Sequence, residues 1–131
     1  MSENHGKVWW NELNTRDAKS ACDYYSATCG WTFDTMPMDG GQGDYFIAMR
    51  DGAPTAGILD ISTIPGMEQV RPHWFTYFAV DDVDASAKAT DAADGRVQRE
   101  PWDIPGVGRV AIIQDPIGAM IGLMTPADRE A

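Results

Sequence analysis

Hydrophobic and polar positions along this chain follow one pattern of strand and helix spacings that is laid down twice. Residues 8–14 (VWWNELN) read as a strand, with aromatic and β-branched types near its start. Thr15 is placed to cap a helix whose first turn holds Asp17. Ala18, Ala21, Cys22, Tyr25 and Cys29 then recur at helical spacing and predict one buried face, closed by Gly30 as a C-terminal glycine. Strands follow at 31–36, 44–50 and 54–61, with a loop at Asp39-Gly40-Gly41-Gln42-Gly43 and a turn at Asp51-Gly52. A second stretch repeats the order: a strand over 74–80, a helix capped by Asp81 or Asp82 and ended by Gly95, then strands at about 96–100, 108–114 and 119–125. Pro101-Trp102-Asp103-Ile104-Pro105-Gly106-Val107-Gly108 reads as a Pro/Gly loop between the first two of those strands.

The two stretches superimpose at an offset of 65 residues. Trp9 then falls on Trp74, Asp17 on Asp82, Gly30 on Gly95, and Gly57-Ile58-Leu59 on Gly122-Leu123-Met124. Matching element types at matching positions point to a duplicated βαβββ unit. Two copies are too few for a solenoid, so they are expected to pair about a pseudo-twofold axis. With few helices and many strands the class is α+β, with a mixed or antiparallel sheet.

Composition narrows this picture without changing it. With 131 residues, 44% hydrophobic and 23% charged, the chain suits one globular domain, module one about 7–65 and module two about 72–126. No apolar run approaches the roughly 20 residues of a membrane span, and the N-terminus reads as a polar tail rather than a signal segment. The net charge of −10 repels nucleic acid and anionic lipid, so neither is an expected partner. Cys22 and Cys29, on one helix, stand about 10 Å apart, too far for a disulfide. They read as core thiols of a cytoplasmic protein.

Leu13-Asn14-Thr15-Arg16-Asp17, Tyr24-Tyr25 with Gly30-Trp31, Val80-Asp81-Asp82-Val83 and the turn Asp115-Pro116-Ile117-Gly118-Ala119 together resemble the vicinal oxygen chelate superfamily, which includes glyoxalase I, bleomycin-resistance proteins and extradiol dioxygenases. Ile104-Pro105-Gly106-Val107-Gly108-Arg109 is similar to a glyoxalase-like or hydroxylase-like subgroup, and the resemblance spans roughly residues 7–126. It implies that each module curls its sheet into a half-barrel. Where members bind a metal, ligands come from the first and last strand of each module. By register those places fall on Trp10, Gly57, Phe75 and Gly122. None carries the imidazole, thiolate or carboxylate a divalent ion needs. A one-residue slip brings Trp9, Ala56, Trp74 and Ile121, which serve no better. His5 lies in the tail and His73 at a strand edge, which leaves Asp60 with Glu12 as the nearest rescue and a weak, water-rich site. No metal and no cofactor is therefore expected.

If Trp10 faces the cleft, strand alternation brings Glu12 and Asn14 with it, Leu59 beside Gly57, Tyr77 beside Phe75, and Met120 and Met124 beside Gly122. The expected ligand-binding residues are then Trp10, Leu59, Phe75, Met120 and Met124, with Trp102 as a plug or lid. Glycine at two of the ligand places is expected to leave space there. The alternative is that the same aromatics simply fill the half-barrel as core. Glu12 in an apolar cleft would have a raised pKa and could serve as a general base or acid, with its repeat partner Tyr77 approaching across the pseudo-twofold. Trp9 and Trp74 are expected on the opposite face, under the helices, without a function. Asp17 and Asp82 are helix-start residues first. The glycines at 40, 41 and 43 lack the Lys-Ser/Thr of a phosphate loop.

Three functions compete. One is a binding protein for a small aromatic or amphipathic molecule, as resistance members of the superfamily are. The second is a metal-free isomerase or lyase using Glu12, with Tyr77 in support. A metal-dependent glyoxalase or dioxygenase with misplaced ligands is a third. The resemblance further implies a homodimer.

Overall fold

The computed structural model describes residues 1–37 and 44–127, so the glycine-rich segment at 39–43, read above as no phosphate loop, lies outside the described residues. Element order is β1 (Val8–Thr15), α1 (Ala18–Cys29), β2 (Thr32–Pro37), β3 (Asp44–Arg50), β4 (Ala53–Asp60), β5 (His73–Ala79), α2 (Val83–Ala92), β6 (Arg96–Ile104), β7 (Gly108–Gln114) and β8 (Met120–Pro126). This is βαβββ twice, an α+β architecture. Among the described residues no helix is long and apolar enough to cross a membrane.

The chain forms two compact units, Trp10–Phe75, and Met1–Trp9 with Thr76–Ala131. The division runs through β1 and β5. In the first unit the strand order is β2-β3-β4-β1. β1 and β4 are parallel, with Glu12 opposite Gly57 and Thr15 opposite Asp60. β3 is antiparallel to both β4 and β2. The Asp51-Gly52 turn joins β3 to β4 with φ of 53° and 77°, the left-handed pair a tight hairpin needs.

Helix α1 lies on one face of this sheet. Leu13, Ala18 and Ile58 form its buried core, with Ala21, Cys22, Tyr25, Phe33 and Phe46 packed around them. Asp17, not Thr15, is the N-cap: its carboxylate accepts from the Ser20 N–H at 3.0 Å, while Thr15 remains in β1. Gly30 ends the helix at φ 71°, as its position predicts. Cys22 is half-buried, but Cys29 is exposed, so only one of the two expected core thiols turns inward. Burial, with the charge of Asp23 second, pushes the Cys22 thiol up. Arg16 fastens the segment after β4 by donating to the carbonyls of Met67 and Val70, the latter at 2.8 Å.

The second unit orders its strands β5-β8-β7-β6. β5 and β8 are parallel, with Tyr77 opposite Gly122, the same pairing as Glu12 with Gly57 displaced by the 65-residue repeat. α2 covers a core of Val80, Val83, Ala111 and Leu123 with Phe78, Ile113 and Ile121. Of the two candidate caps, Asp82 serves, accepting from the N–H groups of Asp84 and Ala85. The helix stops at Ala92, and Asp94, not Gly95, takes the left-handed turn at φ 69°. Gly95 is needed for close approach instead: a Cβ there would stand 2.7 Å from the Gln114 carbonyl oxygen. The N-terminal residues belong to this unit. Gly6 donates to the Ala79 carbonyl at 2.7 Å, and the Asp81 N–H donates to His5 Nδ1 at 2.9 Å.

The expected Pro/Gly loop is mostly strand. β6 continues to Ile104, and Trp102 pairs with Val110. Pro101 is tolerated because β6 ends the strand order and a register shift between Arg99 and Trp102 spans the proline, so its missing N–H breaks no regular ladder.

Carboxylates tie the turns. Asp115 Oδ1 accepts from the N–H groups of Ile117, Gly118 and Ala119 at 2.9–3.0 Å. These bonds hold its carboxyl below the ordinary range, as the Ser2 bonds do for Asp81 and the Arg109 bond does for Asp84. Groups depressed in the folded state favour folding above their unfolded pKa of about 4 and lose that contribution as pH falls through the folded values. The urea midpoint is thus expected to hold steady from neutral to mildly acidic pH and fall below about pH 4, with Asp115→Asn flattening part of the fall. An unchanged acid profile in that variant would show that the Asp115 turn is not coupled to folding.

Candidate functional site

Because Leu13 and Ile58 point into the core under α1, strand alternation sends Trp10, Glu12 and Asn14 of β1 to the helix-free face. Pairing extends that face to Gly57 and Leu59 of β4, opposite Glu12 and Asn14, and to Ile47 and Tyr45 of β3, opposite Gly57 and Leu59. Trp10, Glu12 and Leu59 are thus brought together, as the sequence predicts. Each is half-buried, as is Tyr45.

The space expected above Gly57 is filled. The Trp10 Nε1–H donates to Tyr45 Oη at 3.0 Å. A Cβ on Gly57 would lie 1.6 Å from that oxygen. Deeper on the same face, buried Asn14 places Nδ2 3.4 Å from His73 Nε2, while His73 Nδ1 lies 2.7 Å from the Arg71 carbonyl oxygen. A carbonyl accepts only, so Nδ1 carries the proton and Nε2 accepts from Asn14. The His73 ring meets Phe75 edge to face at 6.4 Å, and Phe75 is buried.

In the second unit the helix-free face carries Tyr77, Gly122, Met124, Val110, Ile112 and Trp102, by the pairings of β5 with β8, β8 with β7 and β7 with β6. The space above Gly122 is filled too: a Cβ there would lie 2.2 Å from Tyr77 Cδ1. Trp102, Val110 and Met124 stand in a row across three strands. Trp102 is therefore part of a sheet face rather than a plug or lid on a loop. The Arg99 guanidinium carbon lies 3.6 Å over its ring, a cation–π contact. Met124 is buried, whereas Met120 is 48% exposed at the start of β8.

Two residues of these faces were not read from the sequence, Tyr45 and Arg99. Tyr45-Phe46-Ile47 are apolar in succession, so no alternation marks which one faces away from the helix. The register shifts in β6 hide Arg99 from any simple period.

Other expectations for metal ligation resolve by geometry. Asp60 pairs with Thr15, on the opposite parity from Glu12, and its carboxylate accepts from Ala18 and Ser62. Burial raises its pKa, but those bonds outweigh it and hold the carboxyl low. It is a structural tie, so it does not join Glu12. The places that the resemblance assigns to metal ligands hold Trp10, Gly57, Phe75 and Gly122, with tyrosine rings where donor side chains would reach. That donor set does not fit a divalent ion. Trp74 lies on the helix side, as expected, but beside α1 rather than under it. It is 40% exposed, donates to Tyr25 Oη at 3.1 Å, and meets Trp31 edge to face at 6.2 Å.

A doubled βαβββ unit with a helix on one face of each sheet is the architecture of the glyoxalase class of proteins. The chain belongs to the Glyoxalase/Bleomycin resistance protein/Dioxygenase superfamily, whose family model matches residues 8–123. Among its relatives, "Putative glyoxylase CFP32" of Mycobacterium tuberculosis is 40% identical over 125 residues, covering 95% of this chain and 46% of that protein. "Anthracycline biosynthesis protein DnrV" of Streptomyces peucetius is 36% identical over 124 residues, 87% of this chain and 45% of that protein. The chain thus spans about half the length of these relatives. Solved structures with the same fold include methylmalonyl-CoA epimerase from Mycobacterium tuberculosis (TM-score 0.67, 18% identity, 98% of this chain and 93% of that one). A hypothetical protein from Bacillus halodurans C-125 is also similar (TM-score 0.75, 10% identity, 96% and 98% covered). At these identities the likeness concerns the fold alone.

Proposed function

We propose that this chain binds a small, flat aromatic or amphipathic organic molecule on the helix-free faces of its sheets, without a metal ion or other cofactor. The carrying observation is the Trp10–Tyr45 pair over Gly57: a half-exposed aromatic wall with a fixed hydroxyl, at a place where the superfamily's metal-binding members keep a ligand. Apolar walls with a few placed polar groups are the usual make-up of a small-molecule site. Trp10, Leu59 and Phe75 contribute from the first unit, and Trp102, Met120 and Met124 from the second. The relative named as an anthracycline biosynthesis protein is in keeping with a small organic ligand. The same reading has the chain act as a homodimer in the cytoplasm, with no nucleic-acid or membrane partner.

A second reading, proton transfer by Glu12, is favoured by the register that sets Glu12 opposite Gly57, the residue over which the Tyr45 hydroxyl lies. Native mass spectrometry on protein purified without chelators tests the first reading. A dimer carrying an organic mass and no stoichiometric divalent ion is the expected result, and a retained stoichiometric ion would overturn it. Unchanged turnover of that compound by Glu12→Gln would remove the general-base role.

A further inference from the structure

Resting on the small-molecule reading above, we propose that Arg99, held on the ring of Trp102 on the helix-free face of the second unit, receives a carboxylate of the ligand. The ligand is then a flat or amphipathic organic acid. Arg99 and Trp102 are three residues apart, and in an unbroken strand they would stand on opposite faces. Register shifts at Val97/Arg99 and Arg99/Trp102 change that. Arg99 pairs with Ile112 and Trp102 with Val110, two residues of β7 that share the helix-free face. The guanidinium carbon thus comes to lie 3.6 Å over the indole ring. Irregularities of this kind break the ladder to re-aim a side chain, and they gather beside functional sites.

Stacking engages the flat face of the guanidinium and leaves the N–H donors around its edge open. Among the described residues that edge has no carboxylate or carbonyl partner. Arg16, by contrast, donates to the carbonyls of Met67 and Val70, and Arg50 and Arg109 pair with Asp51 and Asp84. The acids nearest Arg99 along β6 are turned to the other side of the sheet. Glu100 lines a groove against α2 with Asp84 and Asp91, and Asp103 takes Arg109 Nη1 at 3.2 Å. In a chain of net charge −10, an exposed cation fixed in one place and clear of carboxylates is suited to two carboxylate oxygens from outside. Ile112, half-buried opposite Arg99, and the half-buried indole of Trp102 offer apolar surface for the rest of the molecule.

Equilibrium dialysis with two probes of one shape tests the proposal: 2-naphthoate and its neutral amide, 2-naphthamide, at about 0.15 M salt, where long-range repulsion is screened. The wild-type chain is expected to bind naphthoate about threefold to tenfold tighter than the amide, as a charge-assisted pair at an exposed place allows. Arg99→Gln is expected to abolish that preference and to leave naphthamide binding within about twofold. Arg96→Gln, which removes the same unit of charge from the same strand, is expected to keep the preference. An equal fall in both variants would show the probes sensing overall charge, and overturns the proposal. So does an undiminished preference in Arg99→Gln, or equal binding of the two probes by the wild-type chain. In each of those cases the probes still bind, and the small-molecule reading stands. Failure of the wild-type chain to bind either probe overturns that reading, and the proposal with it.

Discussion

Ile58→Ala is expected to cost about 3–4 kcal/mol of folding stability, a large share of the roughly 5–15 kcal/mol that holds a domain of this size together. Ile58 has no exposed surface. It stands at the middle of its sheet, opposite Leu13 on β1 and Phe46 on β3, and beneath Ala18 of α1. Truncation removes three buried carbons. Ala18, beside it, is too short to reach into the space, and the paired strands cannot close over it without breaking their ladder, so most of the cavity persists. Urea unfolding with unchanged slope and a lower midpoint is the expected record. A loss below about 1 kcal/mol would mean that α1 is not seated on this sheet as described. The consequence reaches the site, because the helix sets which parity of β1 faces away and so where Trp10 and Glu12 point.

Gly108→Ala is expected to be nearly as damaging, by about 2–4 kcal/mol, through the backbone rather than the core. Gly108 has φ 147°, a conformation closed to L side chains, and a Cβ there would stand 2.3 Å from the Thr125 carbonyl oxygen and 3.0 Å from both Ala127 N and Pro126 Cα. All three are backbone atoms, so no side chain can rotate aside. The start of β7 would have to peel from Pro126 on β8 and from Ile104 on β6. Trp102 lies one pair further along this hairpin than Asp103–Arg109, so its indole fluorescence should shift toward that of a solvated ring. A variant with wild-type melting and wild-type Trp102 emission in a background without the other tryptophans would refute this account of the hairpin.

Much of the fold was legible because duplication writes one pattern twice. The 65-residue offset relates Glu12 to Tyr77 and Gly57 to Gly122, and the parallel pairing that the structure shows in one unit recurs in the other. Helix ends were less legible. Thr15 and Asp17 both have capping side chains, and the choice fell to Asp17 because Thr15 continues the β1 ladder opposite Asp60. Gly95 looked like a helix stop, yet its glycine answers to the carbonyl of Gln114, a residue nineteen positions away that no local pattern reports. Trp102 looked like a loop residue because Pro and Gly surround it. At the end of a strand order the missing proline N–H is harmless, and the pairing with β7 prevails.

The candidate site divides along the same line. Residue alternation within a strand is local, so the sharing of one face by Trp10, Glu12 and Asn14 could be read from the chain, as could the want of metal donors at Trp10, Gly57, Phe75 and Gly122. Which side chain then occupies the space over a glycine depends on the register of a neighbouring strand. For β3 that register is set by the Asp51-Gly52 turn and by an irregularity at Ala48/Met49, and three successive apolar residues conceal its facing. Folding therefore decided that the Tyr45 hydroxyl, rather than empty volume, lies over Gly57 beside Trp10. Periodicity specifies faces because it follows from bond geometry within one strand. Contacts between strands follow from hydrogen-bond pairing and packing, which the chain settles only when it closes on itself.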